Sequence, residues 1–233
     1  MQKVLSTINH IKDTHRLDSF EWSIPDDCPI EIPADLSTGY KKNIFLKEKL
    51  HPAIKTDASL TTHYWIIQKW GGIGSFKKNN RNDNKIVKFL AELNEGKLTK
   101  PTFECISSLS KVASFLDPDN YVIYDSRVIY TLNWLLFNLE NEAPLFPQPN
   151  GRSSDLAKFD MQTIFRLSKK KINYKSHNDA YHDYCNLVKK LNKGVFGENS
   201  KPYLLEMLLF MIAPTWTVSS IEKSVTVNIA DVA

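Results

Sequence analysis

The sequence predicts an all-α protein, and the spacing of its apolar residues is the main reason. Apolar residues recur three and four positions apart in most segments, as on one face of a helix, while strict alternation is confined to short pieces such as 225–229. The chain has 233 residues, of which 42% are hydrophobic and 24% are charged. This length and composition are typical of one compact unit, so we expect a single helical domain over residues 1–233.

The N-terminal half is predicted to begin with a mostly irregular part, residues 1–43. A first helix is expected at 4–11, but the prolines between positions 23 and 33 remove hydrogen-bond donors and disfavour helix before them. The glycines at 71, 72 and 74 are expected to end a later helix, because glycine is common just after a helix C-terminus. Helices of this half are predicted at 44–51, 59–70 and 85–93.

The C-terminal half is predicted to contain a further set of helices. Phe103, Ile106 and Leu109 fit one short helix, a serine-rich break follows, and a second short helix ends near Pro118. A helix over 202–212 is apolar nearly all round, so we expect it at the centre of the fold. The tail, 215–233, is expected to be loosely attached. The remaining helices are predicted at 128–137, 155–170 and 178–192.

Composition excludes several classes of function. Three cysteines far apart in the chain argue against a disulfide framework, a zinc ribbon and a four-thiolate cluster. The histidines form no metal-binding motif, and no glycine-rich phosphate loop is present. We therefore expect no metal and no organic cofactor. The hydropathy pattern indicates neither a membrane span nor a signal peptide, so a cytoplasmic protein without a membrane partner is expected.

Net charge leaves a nucleic-acid partner open. The formal net charge is +4, which permits DNA binding without requiring it. Local basic stretches could follow a phosphate backbone, although basic residues at a helix C-terminus more often only complement the helix dipole.

Two residues of the middle segment have the chemistry for cleaving an N-glycosidic bond. Lys111 follows Ser110 at an expected helix start, where the helix dipole and partial burial disfavour the ammonium form, and such an amine can act as a nucleophile. Asp125 is expected to open the next helix, where backbone N–H groups and Arg127 keep its carboxylate ionised. The carboxylate can stabilise an oxocarbenium-like sugar while the amine captures C1′ as a Schiff base. Each residue alone is more often a surface lysine or a helix cap.

The combination resembles the helix–hairpin–helix DNA glycosylase superfamily, which includes 8-oxoguanine and endonuclease-III-like enzymes. Segment 106–113, ISSLSKVA, is similar to the family's hairpin and the start of the helix with the nucleophilic lysine. Segment 124–128, YDSRV, is similar to the catalytic aspartate that opens the next helix. The resemblance implies a helical glycosylase-like bundle that removes a modified or oxidised base from DNA, with AP-lyase activity if Lys111 forms a Schiff base.

The same segments resemble bacterial proteins with an 8-oxoguanine glycosylase fold, some of which look like components of antiphage defence. This resemblance implies a modified phage base as substrate and other products of a defence locus as partners. Serines stand where the family's hairpin has glycines, and the interval from Lys111 to Asp125 is shorter than usual. Serine can still bind phosphate through its hydroxyl or amide. The predicted DNA-binding residues are Ser107, Ser108, Ser110, Lys77, Lys78, Arg81 and Arg127.

A flipped base needs stacking surfaces and a few hydrogen-bonding groups. Gln68 could read a base edge, and Gly72 could let the backbone approach a ligand. The tryptophans of the same segment are expected mainly in the core. Glu206 interrupts an apolar helix, so it is either a pocket residue or a buried partner for an arginine such as Arg127. The predicted base pocket contains Trp65, Gln68, Trp70, Gly72 and Glu206.

Three alternatives stay open at the level of the sequence. Asp125 could activate water alone, which would make Lys111 a phosphate or structural contact. The chain could be a non-catalytic DNA-binding or sensor module of a defence system on the same helical scaffold. It could also be a helical interaction protein that does not bind nucleic acid.

Overall fold

Helices account for 61% of the structure, a computed structural model that describes residues 1–151 and 154–226. No β-strand occurs in these two ranges, which confirms the predicted all-α class. Two π-helical segments, Trp65–Trp70 (π1) and Ala213–Thr217 (π2), continue neighbouring helices, and Leu17–Ser19 forms a 3-10 turn. The α-helices of the described residues are α1 (Gln2–Thr14), α2 (Gly39–Lys49), α3 (His51–Lys55), α4 (Thr61–Tyr64), α5 (Asn80–Glu95), α6 (Lys100–Phe103), α7 (Ile106–Leu116), α8 (Ser126–Leu139), α9 (Ser154–Ala157), α10 (Met161–Leu167), α11 (Ala180–Phe196), α12 (Tyr203–Ile212) and α13 (Val218–Ser224).

The N-terminal part is more ordered than the sequence predicts. The first helix extends to Gln2–Thr14 and buries Val4, Ile8 and Ile11. Residues 20–38 form no helix, as their prolines predict. This irregular segment is nevertheless held in place, because the indole N–H of Trp22 donates to the Trp70 carbonyl at 2.8 Å and Asn43 Nδ2 donates to the Trp22 carbonyl at 2.8 Å.

The middle segment corrects the predicted helix break. Residues 106–116 form one continuous helix, α7, and the turn lies earlier, at Glu104 and Cys105. Two of the four serines of α7 have hydrogen-bonded hydroxyls: Ser110 Oγ accepts from the Tyr124 N–H, and Ser114 Oγ donates to the Lys111 carbonyl, and neither bond interrupts the helix. Lys111 therefore lies in the second turn of a helix, and the prediction that it lies at a helix start is wrong.

The helix α12 lies at the centre of the fold, as predicted. It packs against α8 and α11 and is buried over most of its length. The stretch Tyr203–Ser224 has the length and mean hydropathy, 1.5, of a membrane-crossing helix. Its packing against α8 and α11 is that of a core helix, which accounts for its apolar composition.

The first part of the predicted loose tail is helical and packed. In α13, Val218 and Ile221 are buried, so the expectation of a loosely attached tail from position 215 is wrong as far as Ser224. The alternating segment 225–229 lies mainly beyond residue 226 and so outside the described residues.

Candidate active site

Both predicted catalytic residues line one cleft, which has a volume of about 790 Å³. Three segments form its walls: the glycine-rich loop 71–75, the corner 103–108 between α6 and α7, and the segment 147–151. Lys111, Asp125, Ser126 and His177 complete the lining. The cleft therefore brings together Lys111 of α7 and Asp125 at the N-terminus of α8, the two residues that the sequence predicts to act in one reaction.

Lys111 is a buried amine with a single hydrogen-bond acceptor among the described residues. Only 6% of the surface of Lys111 is exposed, and its Nζ donates to the Ser107 carbonyl at 2.8 Å. Burial lowers the pKa of this amine, while the negative charges of Asp125 and Glu206 act in the opposite direction. A lysine with a lowered pKa is more often uncharged, and the uncharged amine is the nucleophile.

Gly71 gives Lys111 the space that its side chain occupies. A Cβ at this position would lie 2.6 Å from Lys111 Cδ and 2.8 Å from the carbonyl oxygens of Ile66 and Ile67. No side chain fits at that distance without displacing its neighbours. The glycine predicted to end a helix therefore also positions the candidate nucleophile.

Asp125 is the N-cap of α8, as its sequence context predicts. Its Oδ1 accepts from the Arg127 backbone N–H at 2.8 Å, which fixes the carboxylate at the positive end of the helix. The Arg127 guanidinium lies 4.7 Å from the centre of the Phe210 ring. Its side chain stacks on this aromatic ring, and its predicted contact with DNA stays a prediction.

A smaller cavity, of about 60 Å³, adjoins the cleft. Gly71, Lys111 and Asp125 line both spaces, so the candidate reactive groups lie where the two meet. Aromatic rings form most of the cavity wall, and the rings of Trp22 and Phe210 meet edge to face with centroids 5.6 Å apart. The other residues of the wall are Phe20, Trp70, Ile123 and Glu206.

Glu206 pairs with a buried lysine, Lys47, behind this cavity. Lys47 Nζ lies 3.6 Å from Glu206 Oε2, and the two side chains are 1% and 8% exposed. The same carboxylate oxygen accepts from the Ile123 N–H at 2.9 Å. Burial raises the pKa of Glu206 and lowers that of Lys47. The partner of Glu206 is thus Lys47, which corrects the suggestion that it is Arg127.

The predicted base-pocket residues separate into two groups. Trp70 and Glu206 line the small cavity, and Gly72 lines the cleft with a backbone φ of 66°. Trp65 and Gln68 line neither space. Trp65 Nε1 donates to Asp27 Oδ1 at 2.9 Å, and Gln68 Nε2 donates to the Phe76 carbonyl at 2.7 Å. Their assignment to the pocket is therefore corrected: both hold the fold together.

The predicted DNA-binding residues also separate. Ser107 and Ser108 line the cleft, whereas Ser110 is fully buried with its hydroxyl bound to the Tyr124 N–H. A buried, bonded hydroxyl does not reach a phosphate, so the prediction for Ser110 is wrong. The exposed residues Lys77, Lys78 and Arg81 flank the start of α5, just after the glycine-rich loop of the cleft.

The residues of the site that sequence reasoning missed include Phe20, Trp22, Lys47 and Phe210. Phe20 and Trp22 lie in an irregular segment, where no periodicity indicates which side chains point inward. Lys47 belongs to a helix with several lysines, of which its neighbours Lys41 and Lys49 are exposed. Only the tertiary packing singles it out.

No protein-family model, curated protein or solved structure matches this chain. The site is therefore interpreted from its own residues. Within the two described ranges, no three His, Cys, Asp or Glu side chains come together in a way that could hold a metal ion.

Proposed function

We propose that this protein is a DNA glycosylase of the helix–hairpin–helix type that removes a modified or oxidised base. One observation carries the proposal: the buried amine of Lys111 and the helix-capping carboxylate of Asp125 line the same cleft, at its junction with an aromatic cavity. A buried amine whose pKa is lowered by burial and that lines a cleft is typical of catalytic sites.

The proposed reaction uses both groups at the sugar. The Lys111 lone pair attacks C1′ as the bond from C1′ to the base nitrogen breaks, and the base leaves with that electron pair and takes up a proton. The Asp125 carboxylate stabilises the positive charge that develops on the sugar. Opening of the sugar ring gives a Schiff base between C1′ and Nζ. Loss of a C2′ proton then expels the 3′ phosphate by β-elimination, which nicks the strand.

The helix–hairpin–helix assignment requires the turn at Glu104 and Cys105 to act as the hairpin, because residues 106–110, which resemble the hairpin in sequence, are helical. The short helix α6, the turn at Glu104 and Cys105, and α7 follow one another at the cleft wall, and α8 begins at Asp125. Ser107 and Ser108, in the first turn of α7, line the cleft. The two hydroxyls and the Ser107 amide are suitable ligands for a DNA phosphate, whereas the Ser108 amide donates to the Cys105 carbonyl at 3.0 Å.

The aromatic cavity is the proposed site for the flipped base. Rings such as those of Trp22 and Phe210 are the surfaces on which flipped bases stack. The cavity volume of about 60 Å³ is that of about two waters. A base therefore fits only if side chains move outward, and Phe20 and Trp22 are the aromatic wall residues that lie outside helices.

Covalent trapping with borohydride tests the proposal. The protein is incubated with duplex oligonucleotides carrying 8-oxoguanine, oxidised pyrimidines, uracil or glucosylated hydroxymethylcytosine, and any Schiff base is reduced to a stable adduct. An adduct with the wild-type protein that Lys111→Met abolishes supports the proposal. Lys190→Met, which changes an exposed lysine of α11, is the matched control and should trap as the wild type does.

Other outcomes separate the alternatives. An abasic product without an adduct, lost in Asp125→Asn, supports a glycosylase in which Asp125 activates water. Neither an adduct nor an abasic product, with salt-dependent retention on DNA, contradicts the enzymatic proposal and supports a DNA-binding module. No retention on DNA at low salt contradicts both and supports an interaction protein.

A further inference from the structure

We propose that Lys47 is a positioning residue for the nucleophile, because its buried charge neutralises Glu206 and so leaves Lys111 as a free amine. The role of Lys111 as nucleophile rests on the proposed function, but the charge relation between the three residues does not. Lys47 lies behind the site, so it acts through its neighbours.

Two polar contacts link Lys47 to the site. Its ammonium lies 3.6 Å from Glu206 Oε2, the carboxylate that lines the cavity beside Lys111. It also donates to Ser114 Oγ at 3.1 Å, and Ser114 donates in turn to the Lys111 carbonyl at 2.8 Å. Lys47 thus contacts the partner carboxylate and the helix turn that carries Lys111.

The surroundings of Lys47 fix its ammonium in this place. It lies 5.1 Å from the centre of the Phe115 ring and 5.9 Å from that of Trp70, and its side chain is 1% exposed. Aromatic faces attract a cation, so three kinds of contact converge on one amine: a carboxylate, a hydroxyl and two rings. A buried ammonium needs such partners to stay charged.

The charged groups around Lys111 show what Lys47 contributes. Asp125 at the start of α8 and Glu206 of α12 both favour a charged Lys111, and Lys47 of α2 repels that charge. The segment π1 and the glycine that follows it present only the uncharged Trp70 and Gly71 to this space. The other titratable groups of the adjoining cleft are Glu104, Cys105 and His177.

Lys47 and Lys111 are the two cations that act on Glu206 among the described residues, so removal of Lys47 would leave Lys111 alone in that role. The ammonium form of Lys111 would gain a partner, and its pKa would rise. Each pH unit of such a rise lowers the uncharged fraction of an amine about tenfold near neutral pH. Lys47 therefore keeps Lys111 reactive, because it pairs with the Glu206 carboxylate, which would otherwise favour the charged form of Lys111.

The test measures the charge of Lys111 directly, in the full chain and without DNA. Reductive methylation by formaldehyde and cyanoborohydride needs an uncharged amine, and peptide mass spectrometry reports its rate at Lys111 as a function of pH. We expect Lys47→Met to move the midpoint of this profile upward by about one pH unit. The double variant Lys47→Met/Glu206→Gln removes both charges and should return the midpoint close to that of the wild type.

Two outcomes overturn the inference. The first is an unchanged midpoint of the methylation profile in Lys47→Met. The second is a midpoint in the double variant that shifts as far as in Lys47→Met, because such a shift would result from lost packing and not from lost charge. Circular dichroism melts establish that each variant is folded at the temperature of the assay.

Borohydride trapping on DNA, run in parallel, separates this inference from the proposed function. A shifted methylation profile with neither a trapped adduct nor an abasic product in the wild type supports the charge relation and contradicts the glycosylase. A trapped adduct with an unshifted profile supports the glycosylase and contradicts the role of Lys47.

Discussion

Replacing Gly71 by alanine tests whether the position of Lys111 determines its reactivity. The new Cβ would lie 2.6 Å from Lys111 Cδ, whereas carbon atoms in contact are about 3.5–4.0 Å apart, so the lysine side chain must move by about 1 Å. A displacement of this size at a reacting group lowers the rate about 100-fold. The Cβ would also meet two backbone carbonyls at 2.8 Å, and such overpacking costs about 1–3 kcal/mol of unfolding free energy.

The assay for Gly71→Ala is the rate of covalent trapping, with the rate of Lys111 methylation as a readout that needs no DNA. Gly74→Ala is the matched control, because it changes the same loop of the cleft but its Cβ has no atom within 4 Å. We expect Gly74→Ala to react as the wild type does. Wild-type rates of trapping and methylation in Gly71→Ala would refute the reasoning, since the lysine would then tolerate displacement.

Lys47→Met leaves Glu206 buried without its partner, so chemical denaturation should show a loss of about 3–5 kcal/mol, most of which the added change Glu206→Gln restores. Asp125→Asn keeps an oxygen for the cap of α8, so the adduct should disappear with little change in melting temperature, whereas Asp125→Ala should also cost about 1 kcal/mol. Burial lowers the pKa of His63 below its usual 6.5. As the pH falls through 6.5, the unfolded chain therefore binds a proton at this residue that the folded chain does not bind. The free energy of unfolding falls until the pH reaches the folded-state pKa. Denaturation curves across that range should show a smaller loss for His63→Gln. Arg81→Ala should weaken DNA binding for all sequences alike and lower the slope of log affinity against log salt by about 1.

Local signals in the sequence were sufficient for some elements of the site. Asp125 was predicted to open a helix because a carboxylate before an apolar run is typical of an N-cap, and it caps α8. The helix α12 was placed at the centre of the fold because its residues are apolar on every side. In both cases the residues that decide the structure are neighbours in the chain.

The remaining features depend on contacts between distant segments. The serines of α7 favour a break by local propensity, but Tyr124 bonds Ser110 and α7 stays continuous. Trp22 joins the cavity because its indole reaches the carbonyl of Trp70, 48 positions later. The local sequence does not distinguish Lys47 from the surface lysines of the same helix. Its burial depends on its contact with Glu206, which belongs to another helix.

The distribution of buried charge also favours a functional over a structural explanation of the site. A buried ion pair contributes little to stability, because an apolar pair of similar volume often stabilises a fold equally well or better. Stability alone therefore gives no reason to line one cavity with Lys111, Asp125 and Glu206 and to pair Glu206 with Lys47. Their arrangement has a consequence that an apolar core would lack. It places a desolvated amine near carboxylates, with a second cation to balance the charge, and these are conditions under which a lysine amine is nucleophilic.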